Sequence, residues 1–163
     1  MIAHWEEKMD ATALLKTFCS AVERRDGKSF ASLFTEDGVY HDVFYGPFKG
    51  HAKIAEMIDD WFYRTAREFR WQMHRPLCDG KSLYAYYTFS YVSTLPEAAG
   101  KRVGFEGVSM MALRDGKIAE YREVANVGPA FAELGFAPER VVKILSKEGA
   151  HLKMQPEWQR HAE

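Results

Sequence analysis

Two acidic residues of this sequence lie within segments that have the composition of β-strands, where an acid needs a reason. Asp42 lies in residues 39–45, which are rich in β-formers, and Glu123 lies in residues 118–125, which mix apolar and polar side chains. Burial removes the solvation of a carboxylate and raises its pKa toward a value that suits a general acid or base. If both acids face one pocket, they predict acid–base chemistry.

Each acid also has a purely structural interpretation. Asp42 could accept a hydrogen bond from a neighbouring backbone N–H at the end of its strand, and Glu123 could form a surface salt bridge on an edge strand. Alternation along a strand places Glu123 on the same face as Tyr121, opposite Glu120 and Arg122. This alternation favours the inward orientation of Glu123.

The turn between the last two strand-like segments decides which residues share a face with Glu123. The dipeptide Asp115-Gly116 between them predicts a hairpin. A two-residue type I′ turn would bring Glu106 to the face of Glu123, whereas a three-residue turn with a G1 bulge would bring Ser109 there instead. A shift of one residue moves every side chain to the other face, so local rules leave both pockets open.

The spacing of apolar residues predicts the elements that position these acids. Helices are expected at residues 10–26, 30–34 and 51–67, strands at 39–45, 69–78, 83–95, 102–113 and 118–125, and a loop at 46–50. A helical C-terminal extension, residues 127–163, should contain a helix from Pro138 that Gly149 stops, followed by a partly frayed tail. This order predicts an α+β fold, in which the three helices of the N-terminal half pack in the concave face of a cone-shaped, strongly curved, mixed but mostly antiparallel sheet.

Composition restricts the class of protein. The 163 residues are 47% apolar and predict a single domain, 1–163, with its core at about 10–126. A net charge of −1 without a basic stripe predicts no nucleic-acid partner, and no apolar segment is long enough for a membrane span. Metal-ligand spacings and glycine-rich nucleotide loops are absent, so neither metal nor cofactor is expected. The two cysteines predict reduced thiols and a cytoplasmic protein.

Three segments resemble one known superfamily in their order and spacing. They are LFTEDGVYHD at residues 33–42, GPFKGH at 46–51 and LRDGKI at 113–118. Together they resemble the nuclear transport factor 2-like superfamily, which includes ketosteroid isomerases, SnoaL-like polyketide cyclases and limonene epoxide hydrolases. The resemblance covers about residues 10–126 and implies the same cone-shaped fold. Because this fold hosts many activities, the resemblance alone does not name a reaction.

The resemblance also implies roles for individual residues. Asp42 matches the first-strand aspartate that ketosteroid isomerases use as general base. Phe18 and Ser109 stand where those enzymes have an oxyanion-binding tyrosine and a protonated aspartic acid, which argues against steroid isomerisation. SnoaL-like cyclases resemble this chain in having an acid near Glu123 on the last strand.

The last strand also resembles one branch of this superfamily near its end. Tyr121, Arg122 and Glu123 are similar to the Trp-Arg-Asp of limonene epoxide hydrolases, in which the acid is catalytic. The resemblance favours the three-residue turn, which would place Ser109, Tyr121 and Glu123 on one wall of the pocket.

These observations predict a cofactor-free isomerase, cyclase, lyase or epoxide hydrolase that acts on a small apolar organic molecule. Asp42 and Glu123 are the predicted catalytic residues. The residues predicted to contact the substrate are Phe18, Tyr40, Trp61, His74, Ser109 and Tyr121. The alternatives are a non-catalytic module that binds a small molecule and a dimerisation module with a filled core. Aromatic residues on both faces of segment 83–92 further predict a homodimer through the outer face of the sheet.

Overall fold

A six-stranded sheet forms the framework of the computed structural model, which describes residues 10–162. The strands are β1 (Phe34–Asp42), β2 (Gly46–Lys49), β3 (Ala66–Cys78), β4 (Ser82–Ser93), β5 (Arg102–Arg114) and β6 (Lys117–Asn126). Their spatial order is β2-β1-β6-β5-β4-β3, in which β1 and β6 run parallel and every other neighbouring pair is antiparallel. The predicted α+β fold with a mixed, mostly antiparallel sheet is confirmed.

Helices of the N-terminal half cover the inner face of this sheet. They are α1 (Ala11–Glu23), α2 (Gly27–Ser32) and α3 (His51–Glu56), and α3 continues through a π-helical turn (Met57–Trp61) and a 3₁₀ turn (Phe62–Arg64). The Asp10 side chain caps α1 by accepting a hydrogen bond of 3.0 Å from the Ala13 N–H. The apolar residues of α1 recur at helical spacing and are buried, and the helix packs against β3.

Aromatic rings fill the core between α1, α2 and the sheet. Phe18 of α1 lies 5.3 Å from Tyr121 of β6, measured between ring centroids, and Tyr40 of β1 stacks on Tyr121 at 4.4 Å. Phe30 of α2 packs against Phe18 at 4.6 Å. All four side chains are fully buried, so this end of the concave face is closed by packing.

The C-terminal extension adds α4 (Gly128–Glu133), α5 (Pro138–Lys153) and a 3₁₀ segment (Pro156–His161). The prediction that Gly149 stops the last helix is wrong. A glycine ends a helix efficiently when it adopts a left-handed conformation, and Gly149 is not among the residues with positive φ. The helix therefore continues for another turn.

Several element boundaries of the first half also differ from the prediction: α2 is Gly27–Ser32 rather than 30–34, and β1 is Phe34–Asp42 rather than 39–45. The third helix does not extend to residue 67, because β3 already begins at Ala66 and pairs with β4. Residues 46–49, predicted as a loop, form β2, in which Phe48 pairs with Tyr40 of β1. The differences in the strands and at the end of the third helix arise from strand pairing, which a local pattern does not contain.

The hairpin between β5 and β6 places the predicted side chains on the inner face, but its turn is not the predicted one. Arg114 pairs with Lys117, and Asp115 (φ 52°) and Gly116 (φ 73°) both have the left-handed backbone of a type I′ turn. The prediction of a three-residue turn is therefore wrong. Ala119 forms a β-bulge instead, because Ile118 pairs with Leu113 while Glu120 pairs with Ala112.

The bulge at Ala119 sets the register of the rest of the hairpin. Ser109 pairs directly with Glu123, and Met111 pairs with Tyr121. Ser109, Tyr121 and Glu123 consequently share the inner face, whereas Glu106 lies on the outer face.

The helices and the two cysteines bear on the predicted location of the chain. No helix there is both long enough and apolar enough to cross a membrane. Cys19 is buried, Cys78 is exposed, and neither is bonded to another cysteine. The cytoplasmic location stays a prediction.

Candidate functional site

A cavity of about 270 Å³ lies between the inner face of the sheet and the C-terminal helices. Its walls are mostly aromatic: Phe44, Tyr45, Phe62, Phe69, Trp71, Tyr87, Phe89, Tyr91, Phe105, Phe131 and Phe136. Two acids, Asp42 from β1 and Glu123 from β6, also line it. A largely apolar cavity with a few polar groups is the usual form of a small-molecule site.

Asp42 is held at the end of β1 by the turn that follows it. Its Oδ1 accepts hydrogen bonds from the backbone N–H groups of Phe44 (2.8 Å) and Tyr45 (2.9 Å), and only 9% of the residue is exposed. Burial raises the pKa of the Asp42 carboxyl to about 6, although the two N–H donors act in the opposite direction. At neutral pH the group is therefore mainly a carboxylate. Its second oxygen, Oδ2, accepts no hydrogen bond from any residue between 10 and 162.

Glu123 is oriented by two tyrosines. Its Oε2 accepts hydrogen bonds from the hydroxyl groups of Tyr87 (2.6 Å) and Tyr121 (3.2 Å). Burial raises the pKa of the Glu123 carboxyl to about 8; the negative charge of Asp42 adds to this rise, while the tyrosine hydroxyls partly offset it. At neutral pH Glu123 is therefore mainly protonated. Its Oε1 has no hydrogen-bond partner within the described chain and is the oxygen free to carry the proton.

A buried hydrogen-bond network extends from Glu123 into the core. The Tyr121 hydroxyl lies 2.9 Å from Ser109 Oγ, and Ser109 Oγ lies 3.7 Å from the Met73 sulfur. Burial raises the pKa of the Tyr87 and Tyr121 hydroxyls, so both stay protonated and continue to donate. The network fixes Oε2 and leaves Oε1 without a hydrogen-bond partner among residues 10–162.

Two further polar atoms lie in the walls without partners. The Tyr40 hydroxyl and the Trp71 indole N–H are buried and have no hydrogen-bond partner among residues 10–162, and both residues line the cavity. Groups of three or more His, Cys, Asp or Glu that could bind a metal ion do not occur in the same span. The polar groups that line the site are thus carboxyl, phenol and indole groups, together with the Thr65 hydroxyl and the Arg140 guanidinium.

Comparison with known proteins identifies the family. The model of the SnoaL-like domain matches residues 15–121. The chain belongs to the SnoaL-like domain family. No curated protein matches the sequence.

Solved structures confirm the fold of this SnoaL-like domain. A protein of Catenulispora acidiphila with a ketosteroid isomerase-like fold, in complex with trimethylamine, is 12% identical, with a TM-score of 0.68 over 77% of this chain and 95% of that one. An epoxide hydrolase of the limonene epoxide hydrolase type from M. tuberculosis is 20% identical, with a TM-score of 0.60 over 80% and 92%. A SnoaL-like polyketide cyclase from Shewanella putrefaciens, described as putative, is 14% identical, with a TM-score of 0.63 over 76% and 95%. The chain thus has the predicted nuclear transport factor 2-like fold.

The SnoaL-like domain brings only some of the predicted site residues together. Asp42, Glu123 and Tyr40 line the cavity. Phe18 and Tyr121 do not, because they stack on each other in the filled end of the core. Tyr121 touches the site only through the hydrogen bond of its hydroxyl group to Glu123.

The three remaining predicted residues lie outside the cavity. Ser109 is fully buried below Tyr121. Trp61 packs against Tyr45 on the outside of the helical segment and donates to Glu56 at 3.3 Å. His74 lies on the outer face of β3 and bonds to Thr88 Oγ1 at 3.1 Å. None of these three residues lines the cavity, so the cavity does not support their predicted contact with a substrate.

Sequence reasoning missed two groups of residues that form the site. It expected one aromatic face of β4 to line the hollow but did not single out Tyr87 as the partner of Glu123, although the alternation of buried Leu83, Ala85 and Tyr87 points this tyrosine inward. It also missed the walls from the C-terminal extension, Ala130, Phe131, Leu134, Phe136, Arg140 and Ile144. Their position depends on how α4 and α5 dock, which no local pattern encodes.

The raised pKa values make stability depend on pH. Between about pH 4 and pH 8 the folded state binds more protons at Asp42 and Glu123 than the unfolded state, so the free energy of unfolding should fall as pH rises through this window. The variant Glu123→Gln carries no charge. We therefore expect it to exceed the wild type in unfolding free energy by about 2 kcal/mol or more near pH 9, and to match it near pH 4.

Urea unfolding at the two pH values measures this difference. The control is Glu106→Gln, since Glu106 accepts a comparable hydrogen bond from Tyr86 (2.6 Å) on the outer face. Equal stability of Glu123→Gln and the wild type near pH 9 would contradict the burial of an ionisable Glu123.

Proposed function

We propose that this SnoaL-like domain is a cofactor-free enzyme that moves protons on a small, mostly apolar organic molecule. The supporting observation is that two carboxyl groups from different strands line one apolar cavity, with pKa values of about 6 for Asp42 and about 8 for Glu123. Such a pair provides a base and an acid at the same neutral pH.

The free oxygens define the roles of the two groups. Asp42 Oδ2 takes a proton from the substrate or from a water molecule, and Glu123 Oε1 gives a proton to an oxygen atom of the substrate. The aromatic walls keep water away from both, which strengthens their electrostatic effect on the reacting atoms. Isomerisation, cyclisation, dehydration and epoxide opening can each use such a pair.

Nitrobenzisoxazole is a suitable probe because its ring opens when a base removes one carbon-bound proton. Asp42 would accept that proton, the C–H electron pair would complete a nitrile, and the N–O bond would break to leave a phenolate oxygen that protonated Glu123 stabilises by donating a hydrogen bond. We expect kcat/KM to rise with pH through about 6 and to fall through about 8, since the reaction needs ionised Asp42 and protonated Glu123. Absorbance of the nitrophenol measures the rate.

The matched variants make this pH profile decisive. Glu123→Gln should remove the falling limb, and Glu106→Gln on the outer face should leave the profile unchanged. A rate that is independent of pH between about 5 and 9 in the wild type would count against the acid–base assignment.

A non-catalytic binding module is the second candidate, and the turn after β1 favours it. Asp42 Oδ1 accepts two backbone N–H groups there, which is a common structural role for an aspartate that ends a strand. If this candidate is correct, nitrobenzisoxazole will bind in the cavity but will not open faster than it does with the Asp42→Asn variant.

The outer face of the sheet supports the proposal of a homodimer. It exposes Tyr84, Val108 and Val124, and Val124 is 68% exposed. A second copy of the chain on this face would bury these side chains. We expect Val124→Asp to raise the dimer dissociation constant about tenfold or more, since it would bury an unpaired charge, in sedimentation at micromolar concentration. A wild-type chain that sediments as a monomer would contradict the proposal.

A further inference from the structure

The two carboxyl groups in the cavity face no positive charge. Neither Asp42 nor Glu123 forms a salt bridge with any residue from 10 to 162. Among the described residues that line the cavity, the basic one is Arg140, and it is exposed, pairs with Glu97 at 3.2 Å and lies over the Phe136 ring at 3.6 Å. The interior of the cavity is therefore acidic without an internal counter-charge.

Aromatic rings from several elements line the same cavity as these carboxyl groups. Trp71 and Tyr87 come from neighbouring strands, with ring centroids 5.6 Å apart, and Phe105 lies 5.1 Å from Phe89. Phe44, two residues after Asp42, is within 6.2 Å of Phe131 in α4. The face of an aromatic ring carries partial negative charge and attracts a cation.

We propose that the ligand of this cavity is a small organic ammonium ion, in which a positively charged nitrogen carries apolar groups. The apolar groups contact the aromatic walls, and the nitrogen lies near Asp42 Oδ2 and Glu123 Oε1. This inference rests on the proposed function, because it names the substrate class of the same cavity. A neutral apolar ligand of equal shape would fill the cavity but would leave the Asp42 carboxylate without a counter-charge.

The titration of the two acids gives an independent signature of such a ligand. A cation close to Asp42 and Glu123 favours their ionised forms and lowers both pKa values. Binding near neutral pH should therefore release protons, chiefly from Glu123. A neutral ligand that only removes water from the cavity would instead raise both pKa values and take up protons.

Phenyltrimethylammonium and tert-butylbenzene test the proposal, because they share one shape and differ in charge. Calorimetry in two buffers of different ionisation enthalpy measures the affinity and the protons released. We expect the ammonium ion to bind about tenfold more tightly or better, with proton release. Asp42→Asn should remove most of this preference, whereas Glu106→Gln should keep it, because Glu106 lies on the outer face.

The outcomes separate this inference from the proposed function. Equal or tighter binding of tert-butylbenzene would overturn the ammonium assignment and leave the enzyme proposal intact. Binding of neither probe, or proton uptake with the ammonium ion, would also overturn the assignment. The proposed function fails on a different result, namely opening of nitrobenzisoxazole at the same rate by wild type and Asp42→Asn.

Discussion

Replacing Asp42 by Asn lowers the rate of nitrobenzisoxazole opening by about a hundredfold or more, the usual effect of losing a general base. Asparagine has nearly the same shape, and its Oδ1 still accepts the N–H groups of Phe44 and Tyr45. The turn after β1 is therefore kept. What is lost is the oxygen that accepts the proton, and kcat/KM near pH 7 measures that loss.

Two further measurements distinguish loss of the catalytic group from loss of folding. Asp42→Asn should be at least as stable as the wild type near neutral pH, since it removes a buried charge. Glu123→Gln should lower the rate by a similar factor, because it removes the acid. Unchanged rates in both variants would leave the binding module as the better account of the cavity.

The hairpin illustrates how far the sequence could predict the fold. Local rules identified Asp115-Gly116 as the turn and placed Glu123 inward, and the structure agrees with both. The predicted three-residue turn was wrong, because the structure has a two-residue turn and a bulge at Ala119 instead. Nothing in the local sequence indicates that bulge. Burial of Ile118 and Tyr121 on one face requires that extra residue between them, so packing rather than turn chemistry sets the register.

The candidate site was less predictable than the fold. The positions of Asp42 and Glu123 follow from strand alternation and from resemblance. The location of the cavity follows from which rings fill the core, and Phe18 and Tyr121 occupy the space where a ligand was expected. The remaining wall comes from α4, from the segment after it and from α5, and its position depends on how these elements dock on the sheet.

Gly107 makes room for the hydrogen bond between Tyr87 and Glu123. It pairs with Tyr87 across the sheet, and a Cβ atom at this position would lie 2.6 Å from the Tyr87 hydroxyl oxygen and 2.6 Å from the Val124 carbonyl oxygen. Because one of these contacts is with backbone, the strand itself would have to move. We expect Gly107→Ala to lower the free energy of unfolding by about 3 kcal/mol, as overpacking of a core does, in urea unfolding near pH 7.

The same substitution should change the titration of the site. The hydrogen bond from Tyr87 holds the pKa of Glu123 down, so displacement of Tyr87 should raise that pKa and move the falling limb of the nitrobenzisoxazole profile to higher pH. The matched control is Gly149→Ala in α5, where a Cβ atom would meet nothing within 4 Å. That control should be neutral or slightly stabilising, as alanine is in a helix. If Gly107→Ala is as stable as Gly149→Ala and titrates like the wild type, Tyr87 does not depend on Gly107 to reach Glu123.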